Sequence, residues 1–329
     1  MKKLVILGAG KLLSTVYSET NWNRVGIQIK KIFLSDVNIK KDKKFFSKNR
    51  TLLSTIKINT SNFYKEIDKI KPDLILCVGL RDILKKEFLK KKNIKFINLH
   101  GALLPYQRGA GGDYGAIVND QVFGLSTHYI NEGIDAGRII HSIKWKLQEN
   151  NNKNDLIKTV HLKVSNLIEK TMTKVSKKFL GVKQTKYSYY PRKPDWDEYI
   201  NWSESSKIIN RKIKARDPFP LNFTIYRDKV LFIKECMLQK NVRNYLGSNG
   251  QIIGKSKNGI LVKTGDNAIL ITKVAYANKI SLNNRSKYPY KLPDKFFTPK
   301  FKISEMLGFN IYQEIYELKK YIKKLKNQK

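Results

Sequence analysis

Cysteine is scarce in this chain, acidic residues are few, and no long apolar run occurs. The two cysteines, Cys77 and Cys236, both lie in apolar segments. That pattern excludes a disulfide-built scaffold and reads as two reduced core residues in a cytoplasmic protein. No stretch is long and apolar enough to cross a bilayer, and a hydrophobic content of 41% is that of a soluble globular chain. The start, MKKLVILGAGKLLS, is basic and then apolar. The apolar part is short, contains Gly8-Ala9-Gly10 and runs into Lys11, so it reads as a buried first strand and not as a signal peptide. Only 27 Asp and Glu stand against 65 Lys and Arg, a net charge of +38. Such an excess fits a nucleic-acid partner or a drift in composition. Lysine is spread over the whole length without forming one block, which favours drift.

At 329 residues the chain can hold two domains, each with its own core. Residues 3–8, 26–36, 72–79 and 94–100 are short apolar runs bounded by Gly, Pro or Asp and read as buried parallel strands; 55–62 reads as a weaker one. Residues 81–92 carry Ile83, Leu84, Phe88 and Leu89 at helical spacing. Residues 124–145 alternate and read as hairpin-like strands. A helix follows, with Asp155 as its cap, an apolar stripe of Leu156, Val160, Val164, Leu167 and Ile168, and Gly181 as its stop. Strands alternating with helices imply a mostly parallel, Rossmann-like α/β sheet with helices on both faces. Residues 183–203, with Pro191, Pro194 and several tyrosines, read as a linker. A short helix over 203–215 and strands over 222–280 then suggest a small open β-barrel, and 311–325 reads as an amphipathic, Lys-rich helix. The expected division is a first domain over 1–182, the linker, and a second domain over 204–329.

Gly8-Ala9-Gly10 could open a dinucleotide-binding turn with Asp36 as the later acid. The third small residue is missing, because Leu13 stands there. A stronger candidate is INLHGALLPYQRGAGGDYGAI, residues 97–117. Asn98 and His100 lie at the carboxyl end of a strand, where open parallel sheets bind ligands. Their i, i+2 spacing puts both on one face. An amide can donate to a developing oxyanion and an imidazole can move a proton near neutral pH. No Ser or Cys lies in the loop, so the nucleophile must belong to a substrate. Taken alone, the pair reads more simply as a turn cap and a half-buried, satisfied histidine. Asp135 in NEGIDAG could orient an imidazole or a water, or form an ordinary Asx turn.

Together these pieces resemble the folate-dependent formyltransferase family. The resemblance is carried by Asn98-Leu99-His100, Leu103-Leu104-Pro105, Arg108-Gly109 and Gly133-Ile134-Asp135-Ala136-Gly137. It extends to PRKPDWDEYINWSESSKIINRKIKARDPFPLNFT, similar to the linker and second-domain start of the methionyl-tRNA formyltransferase subgroup, a layout shared by sugar-nucleotide N-formyltransferases. The resemblance implies transfer of a formyl group from 10-formyltetrahydrofolate to an amine. Asn98 would hold the formyl oxygen, His100 would shuttle protons, and Asp135 would orient His100 and a water. Leu80, Asp82, Ile83 and Leu84, with Asp135, would line the folate pocket. Arg108, Gly109, Gly111 and Gly112 would face the acceptor, and no metal is implied.

The chain departs from the tRNA-formylating pattern in two places. Ala9-Gly10-Lys11-Leu12 replaces Thr-Pro-x-Phe after the first strand, and Ser35-Asp36-Val37-Asn38 leads into lysines where a Gly-Arg-Gly loop is usual. The expected acceptor is therefore a nucleotide-linked amino sugar. The alternatives are methionyl-tRNA, a non-catalytic RNA-binding module on the same fold, and hydrolysis of formylfolate. No membrane partner is expected, and assembly as an oligomer is compatible with the sequence. The run from Gly109 to Gly115 is expected to shape the acceptor side.

Overall fold

β1 (Lys2–Gly8) carries Leu4 to Leu7 with no exposed surface, as an apolar run in the middle of a covered sheet requires. It lies between β2 (Ile27–Leu34) and β4 (Leu74–Val78), parallel to both. The computed structural model describes residues 1–35, 52–80, 82–120, 122–149, 151–190, 199–216, 222–227, 229–239 and 246–276. Asp36, the prolines at 191 and 194 and the helix expected over 311–325 lie outside these residues. Two compact units divide near residue 192.

The first unit holds a seven-stranded sheet. β3 (Leu53–Ser54), β5 (Lys95–His100), β6 (Val122–Tyr129) and β7 (Ile139–Lys146) complete the order β3-β2-β1-β4-β5-β6-β7. Pairing is parallel from β3 to β5 and antiparallel from β5 to β7. Strand order reverses between β1 and β4, which opens a crevice at their carboxyl ends. On one face Val5, Leu7, Ile75 and Cys77 pack with Phe33, Phe63, Phe88 and Phe96. The rings of Phe63 and Phe88 meet edge to face at 5.4 Å, and those of Phe88 and Phe96 at 5.0 Å.

Three helices matter here: α1 (Gly10–Glu19), α2 (Ser61–Ile70) and α3 (Lys153–Ser176). α3 buries Leu156, Val164, Leu167 and Ile168 of the expected stripe, together with Thr171, Met172 and Val175, while Val160 is half-buried. It begins before Asp155, which sits in the first turn as an ion-pair partner of Lys158 and is not its cap.

Two other expectations are corrected. Residues 55–62 do not form a strand. Asn59 adopts φ +66°, and Thr60 caps α2 by accepting from the Phe63 N–H, so the extended chain stops at Ser54. The helix expected over 81–92 shrinks to one turn, Lys86–Leu89. Asn59 Nδ2 donates to the Ile83 carbonyl at 2.9 Å and holds that segment in a loop. Cys77 and Cys236 are buried and free, and burial pushes both thiols up to about 12.

The second unit contains α4 (Ser206–Arg216) and an open antiparallel sheet. Its strands are β8 (Phe223–Tyr226), β9 (Lys229–Leu238), β10 (Ile252–Ser256), β11 (Gly259–Lys263) and β12 (Ala268–Tyr276), in the order β10-β11-β12-β9-β8. Irregularities at Ile252/Gly254 and Ile271/Lys273 break the ladder where bulges bend such sheets. Ile209 and Ile213 of α4 pack with Leu231, Ile233, Ile260 and Ile271 around Trp202, which is 1% exposed. The Trp202 indole N–H donates to Thr224 Oγ1 at 3.0 Å. Trp202→Ala is expected to destabilise this unit by about 3–5 kcal/mol, read as a lowered midpoint in denaturant unfolding; an unchanged midpoint would contradict this packing account.

Candidate active site

The last residues of β5 meet a neighbour on each side. Cys77 of β4 pairs with Asn98 in parallel register, and β6 pairs antiparallel with Asn98 opposite His128 and His100 opposite Ser126. Period-two alternation therefore places Asn98 and His100 on one face, with His128 directly across from Asn98. β6 and β7 are joined by a loop whose glycines permit a tight return. A Cβ on Gly137 would come within 1.6 Å of the Tyr129 carbonyl oxygen. Asp135 itself sits in the left-handed region at φ +49°.

That return delivers the Asp135 carboxylate between the two strand-end side chains. Its Oδ1 accepts from Asn98 Nδ2 at 3.3 Å and lies 3.3 Å from His128 Nε2. Its Oδ2 accepts from the Gly109 backbone N–H at 3.0 Å and lies 3.4 Å from His100 Nδ1. The three residues singled out in the sequence, Asn98, His100 and Asp135, are thus brought together, and Gly109 joins them through its amide.

The hydrogen bonds fix the tautomers. His100 Nε2 donates to the Gln107 carbonyl at 2.6 Å, so Nδ1, the atom facing Asp135, is where a further proton would go. His128 Nδ1 donates to the Tyr129 carbonyl at 2.8 Å, which leaves Nε2 to accept from Asn98 Nδ2 at 3.1 Å. Burial is the strongest influence on His100 and carries its pKa below the ordinary 6.5, against the pull of Asp135 and the Gln107 carbonyl; His128 lowers it further. Burial also opposes ionisation of Asp135, but hydrogen bonding to His128 when that ring carries a second proton, the positive charge of a protonated His100 and the Gly109 N–H outweigh it and hold the carboxyl at about 2. The arrangement offers an ionised carboxylate, a buried imidazole with a defined proton-accepting atom, and an amide donor, all within one cluster.

A cavity of about 310 Å³ opens beside this cluster, lined by His100, Gly109, Gly112, Asp113, Phe123 and Leu156 among others. Arg108 is buried, stacks on the Tyr187 ring at 4.0 Å and donates from Nε to Gln184 Oε1 at 2.9 Å. The Gly111 N–H donates to the Tyr190 carbonyl at 3.1 Å. The glycine-rich run has a packing reason: a Cβ on Gly115 would meet the Tyr190 ring at 2.4 Å, and one on Gly109 would meet the Tyr190 carbonyl oxygen at 2.5 Å. Leu80 and Leu84 pack against the aromatic core, while Ile83 is 81% exposed and Asp82 is exposed. These four follow β4 at the edge of the strand-order crevice, apart from the Asn98 cluster in hydrogen bonding.

Sequence reading missed His128, Gln107 and Gln184. The alternation of Ser126 and His128 in an expected strand was the available signal for His128. Gln107 acts through its backbone carbonyl and Gln184 through side-chain bonds to distant segments, and neither left a pattern.

The chain is similar to known proteins in sequence and in fold. The formyl transferase family model matches residues 2–172, and the model of the formyl transferase C-terminal domain matches 194–287. The methionyl-tRNA formyltransferase of Clostridium acetobutylicum is 31% identical over 231 residues, covering 68% of this chain and 73% of that protein. That of Halothermothrix orenii is 30% identical over 243 residues, covering 69% and 75%. Among solved structures, WlaRD, a sugar 3N-formyl transferase in the presence of dTDP and 5-N-formyl-THF, superposes with a TM-score of 0.62 at 21% identity over 85% of this chain and 99% of its own. The Helicobacter canadensis N-formyltransferase, in complex with folinic acid and dTDP-3-aminofucose, gives 0.63 at 18% identity over 84% and 100%. HypX from Aquifex aeolicus in complex with tetrahydrofolic acid gives 0.58 at 17% identity; the chain covers 47% of its length. With two family models matched in order over both units and relatives at this identity, the chain belongs to the formyl transferase family.

Proposed function

We propose that this formyltransferase moves a formyl group from 10-formyltetrahydrofolate to the primary amine of a nucleotide-linked amino sugar, with Asn98, His100 and Asp135 as its working residues, in the cytoplasm. The observation that carries the transfer reading is the meeting of these three side chains within 3.4 Å contacts beside a cavity at the strand ends. The donor is supported by the solved relatives, which hold tetrahydrofolate or formylfolate. Main-chain groups around Leu80, Asp82 and Ile83, at the carboxyl end of β4, are suited to a pterin-like ring. The Leu84 side chain, turned into the core, serves as their support.

The acceptor amine attacks the formyl carbon, and the carbonyl oxygen takes up charge. Asn98 Nδ2 donates to that oxygen in place of its 3.3 Å bond to Asp135, the longer of its two contacts. His128, accepting the other N–H, keeps the amide turned toward the site. His100 takes the amine proton at Nδ1, where the Asp135 carboxylate stabilises the resulting imidazolium. The same proton then goes to the folate nitrogen as its bond to the formyl carbon breaks. The products are a formamide and tetrahydrofolate.

Three observations support the amino-sugar acceptor. Lys11 and the neighbouring residues stand where tRNA-formylating relatives usually carry Thr-Pro-x-Phe, the Gly-Arg-Gly loop is missing from the sequence, and two sugar-formylating structures are covered almost whole by this chain. A second reading, methionyl-tRNA as acceptor, is favoured by the 31% identity to a methionyl-tRNA formyltransferase and by the charge of +38. Formylfolate offered with either dTDP-amino sugars or methionyl-initiator tRNA separates the two: the proposal expects formamide on the sugar, and product on the tRNA alone overturns the acceptor assignment.

Asn98→Ala is expected to lower kcat by about 10²–10³-fold and Asp135→Asn by at least about 10²-fold, with folding intact by circular dichroism. Near-normal turnover in either variant would overturn the mechanism. Because burial depresses His100 and the reaction needs its neutral form, kcat/KM, corrected for titration of the acceptor amine, should rise with pH through a midpoint below 6.5 and be flat above neutrality. A midpoint near or above 7 would contradict the assignment of His100 as the base.

A further inference from the structure

We propose that Gln184 is a positioning residue for formyl transfer, its side-chain amide clamping the turn that carries Asp135 to the loop that carries Gly109. The proposal rests on the role given to Asp135 above. Gln184 lies between the stretches matched by the two family models, 2–172 and 194–287.

All three polar positions of its amide are used, and they join two separate segments. Nε2 donates to the Asp135 carbonyl at 2.9 Å and to the Gly137 carbonyl at 2.6 Å. Oε1 accepts from Arg108 Nε at 2.9 Å. Two acceptors face the nitrogen and one donor faces the oxygen, so the amide has a single satisfied orientation.

The segment bearing Gln184 is held at both ends. On one side Val182 and Ile139 exchange both backbone hydrogen bonds, each at 2.8 Å. On the other, the Arg108 N–H donates to the Ser188 carbonyl and the Tyr190 N–H donates to the Arg108 carbonyl. Gln184 sits between these anchors, and its backbone cannot drift far from either.

The Asp135 turn needs such a clamp. Glu132, Gly133 and Ile134 are exposed, and Asp135 holds φ +49°, in the sparsely populated left-handed region. Its carboxylate is tied to Gly109 through one N–H. Without Gln184, the link from the turn to the Arg108-Gly109 loop falls back on the Asp135 carboxylate itself, and Asp135 can withdraw from His100. A displacement of about 1 Å at a reacting group costs up to about 10²-fold in rate.

The test uses the full-length enzyme with Gln184→Ala and Gln184→Glu, measuring kcat, KM for donor and acceptor, the pH–rate profile and the thermal midpoint. In Gln184→Ala, kcat should fall by about tenfold or more, with the melting midpoint near wild type. The acid limb should move to lower pH, because His100 loses the carboxylate that favours its protonation. Gln184→Glu keeps the shape but turns an oxygen toward two carbonyls, and should be at least as impaired. Wild-type kcat in both variants, recovery of activity in Gln184→Glu, or a loss of kcat that accompanies a lowered melting midpoint with an unmoved acid limb would each overturn the proposal. Asp135→Asn separates the two levels. An active Asp135→Asn removes the reading on which the clamp depends, whereas an inactive one beside a normal Gln184→Ala overturns the clamp alone.

Discussion

The site depends on a single half-buried carboxylate kept ionised. Asp135 is placed where burial alone would favour its neutral form, and it remains charged because the Gly109 amide and any proton taken up by the facing nitrogens of His128 and His100 favour the anion. Each of those partners is in turn oriented by the backbone: His128 by the Tyr129 carbonyl, His100 by the Gln107 carbonyl, and Gly109 by a loop packed under Tyr189 and Tyr190. The charge is therefore the point at which β5, β6 and the Arg108-Gly109 loop are locked to one another. Removing it would free the Asn98 amide and the His100 ring together.

Topology explains why this lock forms at one end of the sheet. Parallel pairing from β3 to β5 brings strand ends to a common edge, and the change to antiparallel pairing at β6 sends the next strand back across it. His128 thereby faces Asn98 in register, and the β6–β7 connection, which leaves β6 beside Phe96 and Ile97, folds back toward the two side chains. A carboxylate in that connection has a short path to both strand-end side chains.

Much of this was legible in the sequence, for identifiable reasons. Asn98 and His100 ended an apolar run at a spacing of two, and strand periodicity puts such a pair on one face. Asp135 was flagged by flanking glycines, which the return past Tyr129 requires. What stayed hidden depends on contacts between distant segments. His128 gains its place from register with β5, and Gln107 contributes a carbonyl that any residue would supply. Residues 81–92 have the periodicity of a helix, yet the Asn59 side chain holds Ile83 in a loop. Residues 55–62 alternate as a strand does, yet Thr60 starts a helix there. In both cases one side-chain hydrogen bond to the backbone outweighed the pattern. Of the glycine run after Arg108, expected to shape the acceptor side, Gly109 and Gly115 also make room for two tyrosines.

The central claim, that an ionised Asp135 organises this site, is tested most directly by following its side-chain carbonyl carbon by NMR in protein labelled with [4-¹³C]aspartate, assigned through Asp135→Asn, as the pH is lowered. The account predicts that Asp135 stays ionised throughout the folded range above pH 3.8 and titrates only toward about 2. A midpoint at or above 3.8, the ordinary value for aspartate, would contradict it.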